Sequence, residues 1–339
     1  MAFLNVPEIL HGAHSLFPAL PPPLQAILSH PAFQTTLALV ATIQALKSLN
    51  KYLTRQVQNH WTPPRPWDAS QELILVTGGS SGIGHQIILD LSALGVRVII
   101  FDIQDPPSPL PPNAHFYKTD LTLPSSIASS AALLRQEHGD PTVLINNAGV
   151  GTKAPILSTP ENQIRAVFNV NVLAHFWTVK EFLPAMLESD HGHVVTVASM
   201  ASFTTSAELV PYCCSKAAAL AFHEGVGQEV RYCYGEKKGG VRTSIIHPLW
   251  VQTPMIKAMV QKGSLFKQPV LTVEEVSRAV VQQIVRGNGG QLCLPGSYGM
   301  GAMVRGLPGW IQEWVRDYYS NIYVRLGRME EEVRLGEGN

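Results

Sequence analysis

The turn Thr77-Gly-Gly-Ser-Ser-Gly-Ile-Gly84 stands between a short apolar run, Glu72-Leu-Ile-Leu-Val-Thr77, and residues 85–94, whose apolar positions recur at helical spacing. A run with so little polar interruption reads as a parallel strand buried on both faces, so the glycines fall where a strand passes into a helix. Gly78 permits the tight turn, and Gly82 lets backbone amides approach a pyrophosphate. Gly84 allows the helix to pack closely on the strand at the positive end of its dipole. A purely structural turn would also look like this, so its meaning depends on its surroundings. The next strand, Arg97-Val-Ile-Ile-Phe-Asp102, ends in an acid eighteen residues after Gly84, close to where a ribose diol is held in dinucleotide-binding units. Asp102 repels a 2′-phosphate, and no Lys or Arg lies between Thr77 and Gly84 or directly after Asp102. NAD(H) is therefore the favoured cofactor, with NADP(H) as the alternative.

Farther along, Tyr212 and Lys216 stand four apart in Pro-Tyr-Cys-Cys-Ser-Lys-Ala, with Ser199 thirteen residues before the tyrosine. Residues four apart share a helix face, so the Lys216 ammonium is expected beside the Tyr212 phenol, favouring its ionised form. A free tyrosine, with a pKa of ~10, is a poor proton shuttle, and an opposite charge draws it roughly two to three units toward neutrality. A bare Tyr-x-x-x-Lys is commonly a solvated helix face; here it gains weight from the other motifs.

In this order the motifs resemble those of the short-chain dehydrogenase/reductase family, over roughly residues 71–294. The loop Thr77-Gly78-x-x-x-Gly82-x-Gly84 is similar to its cofactor turn, and Thr119-Asp120-Leu121 to its adenine-holding segment. Asn146-Asn147-Ala148-Gly149 follows a strand and matches the motif that supports the central sheet and lines the cofactor. Asn171 falls at the family's catalytic asparagine, with Asn169 two residues earlier as a competitor, and Ser199, Tyr212 and Lys216 complete the tetrad. The resemblance implies a Rossmann-type α/β fold, a doubly wound parallel sheet of about seven strands with helices on both faces, plus N- and C-terminal helical appendages. It implies cofactor contacts from Gly78, Ser80, Ser81, Gly82, Ile83, Gly84, Asp102, Asp120, Leu121, Asn147, Ala148, Gly149, Tyr212, Lys216, Pro248 and Thr253. It also implies direct hydride transfer, with Tyr212 exchanging the proton, Ser199 directing the substrate oxygen, Lys216 lowering the Tyr212 pKa, and Asn171 anchoring a water relay. One departure stands out: where the family has Pro-Gly after its sixth strand, this chain has Pro248-Leu249-Trp250, a wall that Leu249 and Trp250 are expected to narrow.

The chain's 339 residues, 45% hydrophobic and 15% charged, suffice for one substantial α/β core. Zero net charge, with no basic run and no zinc spacing, argues against nucleic acid and against a metal site. Cys213, Cys214, Cys233 and Cys293 form no disulfide framework, which points to a reducing compartment. Between Glu8 and Lys47 no Asp, Glu, Lys or Arg occurs, but prolines leave only Ala32–Leu46 as an uninterrupted uncharged helix. At ~1.5 Å per residue, fifteen residues reach about 22 Å, short of a ~30 Å bilayer core. A monotopic or hairpin anchor is the favoured reading, against a true span or a helix packed on protein. Residues 1–66 are thus a membrane-associating segment and linker, 67–295 the catalytic domain, and 296–339 an amphipathic extension with a polar tail. In that extension Ile311, Trp314, Val315, Tyr318 and Ile322 recur at helical spacing, as in an interfacial helix or one that closes a pocket or dimer.

With these termini, the segments Asn171–Thr178, Phe182–Met186 and His191–Ser199 are similar to the membrane-associated hydroxysteroid and retinol dehydrogenase-like branch of the family. That implies a lipophilic alcohol or carbonyl as substrate, walled by residues 200–209 and 254–266. It further implies association with the endoplasmic reticulum or a lipid droplet, the catalytic domain facing the cytosol, and a homodimer as one option. Two other readings stay open: a soluble, cytoplasmic biosynthetic ketone reductase, and an inactive membrane-surface scaffold that keeps the fold.

Overall fold

The computed structural model describes residues 21–234, 239–256 and 268–336. The start of the uncharged N-terminal stretch, residues 257–266 of the expected substrate wall and the last three residues of the polar tail lie outside this description. The chain divides into two compact units, Met1–Val57 and Gln58–Asn339.

In the first unit, α1 (Pro22–Ser29) is followed by α2, which begins at Pro31 and continues to Gln58. The helix thus runs past the uncharged stretch, through Lys47, Lys51 and Arg55, and none of its residues is buried. Leu37, Leu39, Val40, Ile43 and Leu46 are all exposed. No helix among the described residues is long and apolar enough to cross a membrane.

The second unit is built on parallel strands. Its strands are β1 (Leu73–Thr77), β2 (Arg97–Asp102), β3 (Ala114–Lys118), β4 (Val143–Asn146), β5 (Gly192–Val197), β6 (Val241–Pro248), β7 (Trp250–Val251), β8 (Val270–Leu271) and β9 (Gly290–Leu294). Seven of them form one sheet in the order β3-β2-β1-β4-β5-β6-β9, while β7 pairs with β8 in a separate ribbon. Strand order reverses between β1 and β4, and the crevice beyond the carboxyl ends of the strands at such a point is where doubly wound sheets bind ligands.

The helices of this unit are α3 (Gly82–Ala93), α4 (Pro124–His138), α5 (Glu161–Phe168), α6 (Ala174–Glu188), α7 (Val210–Tyr232), α8 (Val273–Val285) and α9 (Gly309–Gly336). Because side chains alternate along a strand, each apolar run feeds both faces. Ile74, Val76, Ile100, Ile145 and Val195 meet Ile87 and Leu91 of α3 and Val280 of α8. Leu75, Phe101, Leu144 and Val194 meet Leu134 of α4, Phe182 of α6 and Phe222 of α7. Between β2 and β3 the proline-rich residues 105–112 form a loop with no helix, as proline's fixed φ and missing N–H dictate.

Candidate active site

The glycine turn is held by backbone demands that only glycine meets. Gly78 and Gly82 have φ of +66° and +54°, a region costly to residues with a Cβ. A Cβ on Gly78 would lie 2.7 Å from Ala148 Cα, and one on Gly84 would collide with Gly78 O. The turn is stitched to the end of β4. Asn147 Nδ2 donates to Thr77 O and Gly78 O at 3.0 and 3.1 Å, while Asn147 N donates to Thr77 Oγ1 at 3.0 Å. Asp102 accepts from Ser80 N at 2.9 Å and Gln104 N at 3.0 Å. A carboxylate has about four acceptor positions, so lone pairs remain for a diol. Asp120 accepts from Thr122 N and Oγ1 at 2.9 and 2.7 Å, fixing the loop after β3.

Asn171 lies in a π-helical turn, Asn169–Leu173, between α5 and α6, a deviation that recurs at functional sites. Its side chain is wholly buried: Oδ1 accepts from Val150 N at 2.8 Å, and Nδ2 donates to Val150 O and Ser215 Oγ, both at 2.9 Å. Asn169 is only half-buried, which separates the two candidates. Ser199 follows β5, where its Oγ accepts from Ala201 N at 3.1 Å. Tyr212 and Lys216 lie on α7, and Lys216 Nζ donates to Val197 O at 3.0 Å. A Cβ on Gly149 would stand 3.5 Å from Asn171 Oδ1 and 3.6 Å from Lys216 Nζ, so these two converge on the same point.

The electrostatics correct one expectation. Lys216 Nζ is 5.8 Å from the Tyr212 ring centroid, but the tyrosine's pKa is pushed up to about 12 rather than down. Burial is the main cause, opposed by a side-chain hydrogen bond with Ser199. Burial also lowers Lys216 to about 8. In this apolar setting the cost of desolvating a charge sets the direction for both groups, not the attraction that four-residue spacing suggested. Nearby, His247 Nδ1 donates to Ser199 O at 3.0 Å, holding the loop after β5 against β6.

A cavity of about 950 Å³ joins these parts. Gly78, Ser81, Gly82, Ile83, Asp102, Asp120, Leu121, Asn147, Ala148, Gly149, Pro248 and Thr253 line it, as do Ser199, Tyr212 and Lys216. Ser80, Gly84 and Asn171 are not part of the lining but contact Asp102, Gly78 and Val150, which are. Met200, Ala201, Leu209, Met255 and Ile256, from the expected substrate wall, line the cavity as well. Leu249 and Trp250 line it too. Leu249 N donates to Leu294 O at 2.8 Å and the residue has no positive φ, so leucine fits there without strain.

The sequence did not single out Val150 and Ser215, which hold Asn171, although their places beside Gly149 and Lys216 could have drawn attention to them. It also missed Tyr298, Gly301 and Val304 in the wall, for which no motif gave a signal. They belong to the 3-10 segment Gly296–Gly306, and Val315 and Tyr319 of α9 complete that side. The apolar stripe read in α9 therefore divides: Val315 lines the cavity, while Trp314 and Tyr318 are exposed. Ser320 Oγ accepts from Ala207 N at 3.0 Å and Arg305 Nε donates to Phe203 O at 3.2 Å, fastening this extension to the loop before Tyr212.

Residues 72–263 match the short chain dehydrogenase family model. Dehydrogenase RED2 of Cochliobolus heterostrophus is 42% identical over 214 residues, covering 62% of this chain and 80% of that protein. Estradiol 17-beta-dehydrogenase 11 of Mus musculus is 36% identical over 231 residues, 66% of this chain and 75% of its own length. Among solved structures, a 3-ketoacyl-(acyl-carrier-protein) reductase from Brucella melitensis complexed with NADH superposes with a TM-score of 0.60 at 17% identity, covering 67% of this chain and 97% of that one. ElxO with NADP bound gives 0.59 at 20% identity, covering 67% and 98%. These structures share the fold, and between them they hold both forms of the nicotinamide dinucleotide. With the family model matched over more than half its length, the chain belongs to the short-chain dehydrogenases, in their hydroxysteroid dehydrogenase-like branch, and is an oxidoreductase acting on CH–OH groups.

Proposed function

We propose that this protein interconverts a lipophilic alcohol and its carbonyl with NAD(H), using Ser199, Tyr212, Lys216 and Asn171. The observation that carries this reading is the single cavity, with the glycine turn and Asp102 at one side, a Met, Leu, Trp and Tyr wall at the other, and Ser199 and Tyr212 on its lining. The residues present fit a nicotinamide dinucleotide: the turn at Gly78 and Gly82 has no side chain to obstruct a pyrophosphate, and Asp102 keeps acceptor capacity for a ribose diol. The Asp102 carboxylate favours NAD(H) because a 2′-phosphate there would be repelled. When bound, the cofactor supplies or takes the hydride.

In reduction, the neutral Tyr212 hydroxyl donates its proton to the carbonyl oxygen as that oxygen gains charge, and a burial-raised pKa keeps the donor loaded. Ser199 Oγ directs the same oxygen by hydrogen bonding. In oxidation Tyr212 accepts the alcohol proton, which needs the phenolate, so oxidative turnover should rise with pH. Lys216 has two donors beyond the one given to Val197 O, so at least one can reach a ribose hydroxyl. Asn171 holds the chain at Val150 next to the lysine.

Membrane association belongs to the same proposal. The support is α2, a 28-residue helix that exposes Leu37, Val40, Ile43 and Leu46 and buries nothing. A helix with exposed apolar side chains that is too polar to span fits one lying at a lipid surface, such as the endoplasmic reticulum or a lipid droplet. The test is titration of detergent-solubilised protein with NADH and NADPH, followed by a turnover panel of estradiol, retinol, fatty alcohols and small polar ketones. Tighter NADH binding and turnover of the apolar set that Tyr212→Phe abolishes is the expected result. Preference for polar ketones, or release from membranes in high salt, would overturn the lipophilic and membrane parts.

A further inference from the structure

One buried polar group near Lys216 has no role in the site so far. On the face of the sheet covered by α6 and α7, Leu144 and Val194 belong to the apolar layer. Two residues farther along each strand, and so on the same face, come Asn146 and Thr196, which are register partners in β4 and β5. The layer turns polar just beneath the tetrad. Thr178 Oγ1 of α6 meets Asn146 Oδ1 at 2.8 Å, which brings that helix face against the strand ends. His175, one turn earlier, shares the face. Its ring packs on Phe222 of α7 at 5.6 Å between centroids and feels the charge of Lys216. Lys216 Nζ is itself anchored to Val197 O, the residue after Thr196.

Asn146, His175 and Thr196 are 1%, 2% and 0% exposed. Both ring nitrogens of His175, Asn146 Nδ2 and Thr196 Oγ1 have no hydrogen-bond partner among the described residues. Exchanging the Asn146 amide atoms would only move its unmatched group from nitrogen to oxygen. Buried polar atoms are almost always matched by protein or by ordered water, and an internal water makes two to four such bonds. Four unmatched atoms in one layer are a demand that internal water can meet. Neutral imidazole donates from one nitrogen and accepts at the other, so His175 can order water on both sides of its ring. Burial and Lys216 both keep it neutral, lowering its pKa to about 3.

We propose that Asn146, His175 and Thr196 enclose internal water beneath Lys216, and that His175 is a positioning residue that holds this water as an acceptor for the lysine. The proposal rests on the reading of Lys216 as a cofactor-binding ammonium. With Lys216 lowered to about 8, NADH affinity that uses its charge is present below that pH and is lost as pH rises through it. The other titratable groups around it are Tyr212 and Cys213 on α7 and His247 on β6, and His247 is already neutral, burial having lowered it to about 4.

The test follows NADH binding by fluorescence from about pH 6 to 10 and needs no substrate. His175→Phe removes both ring nitrogens at similar size, and should move the alkaline limb down by about one unit because the ammonium loses an acceptor. His175→Gln should restore most of it, and Thr196→Val, a milder change, should shift it the same way by less. An unmoved limb in both His175→Phe and Thr196→Val would overturn the coupling, and Thr196→Val serves alone if His175→Phe does not fold. Lys216→Met checks the reading beneath: a limb that survives it does not belong to Lys216, and that outcome overturns the lysine's role rather than the water. A high-resolution crystal structure of the full chain with NADH decides the water itself, which should contact His175; a dry layer would overturn the site.

Discussion

The two halves of the cavity are built by different means. On the nucleotide side, position is set by backbone: glycines at positive φ, Asn147 bridging to Thr77 and Gly78, and Asp102 taking two main-chain amides. On the substrate side, position is set by side-chain volume from distant segments, including Tyr298, Val304, Val315 and Tyr319, which lie beyond the residues matched by the family model. A half made of backbone geometry tolerates almost no change and serves one ligand class. A half made of apolar volume can be reshaped by substitution without disturbing the first. Substrate choice in this fold is therefore free to vary while the cofactor chemistry stays fixed.

The largest expected effect is at the junction of the halves. Tyr212→Phe should lower turnover by about 10²- to 10⁴-fold, the range for losing a general acid–base group, while NADH affinity measured by fluorescence stays within about twofold. Unchanged turnover would remove Tyr212 from the chemistry. Next comes the rigid half: Gly84→Ala drives a methyl into Gly78 O, and overpacking of this kind costs about 1–3 kcal/mol. A lower Tm and weaker binding of NADH and NADPH alike are expected. A variant with parental Tm and affinities would mean that the turn is softer than its contacts suggest.

A smaller effect tests the cofactor preference within the rigid half. Asp102→Ala should weaken NADH by about tenfold, the loss of one charge-assisted hydrogen-bonded group, and leave NADPH unchanged or tighter. Equal losses for both would show that Asp102 acts only by bracing Ser80 and Gln104. If the parent already prefers NADPH, the NAD(H) assignment fails.

The same division explains what could be read from the chain alone. The places of Gly78, Gly82, Asp102, Asn147, Ser199, Tyr212 and Lys216 on one cavity were legible because each answers a local backbone or chemical demand at fixed spacing. Val315 and Trp314 were not separable: adjacent residues at helical spacing look alike until tertiary packing puts one in the cavity wall and leaves the other 68% exposed. The direction of the Tyr212 shift was misread for a related reason, since spacing reveals a neighbour but not the depth of burial that decides which charge state is cheaper. His175 gave no signal at all. A lone histidine in Leu-Ala-His-Phe-Trp looks like any polar interruption until two strand ends and two helices close around it.

The mildest change examines the substrate half directly, through that pair of neighbours on α9. Val315→Ala removes two methyl carbons from the cavity wall, and at ~0.8 kcal/mol per buried carbon the lost contact corresponds to about four- to fifteenfold in KM for an apolar substrate that touches one or both. NADH affinity should not move, because Val315 lies outside the segments that make the nucleotide side. Trp314→Ala, one residue away and facing outward, removes far more surface but none from the cavity, so KM in detergent should stay at the parental value. A change in NADH affinity with Val315→Ala would show that the halves, though far apart in sequence, are mechanically joined through the hydrogen bonds of Ser320 and Arg305 to the loop before Tyr212. Parental KM in Val315→Ala across substrates of increasing length would instead place α9 beyond the reach of the substrate, leaving Met200, Leu209 and Trp250 as the walls that select it.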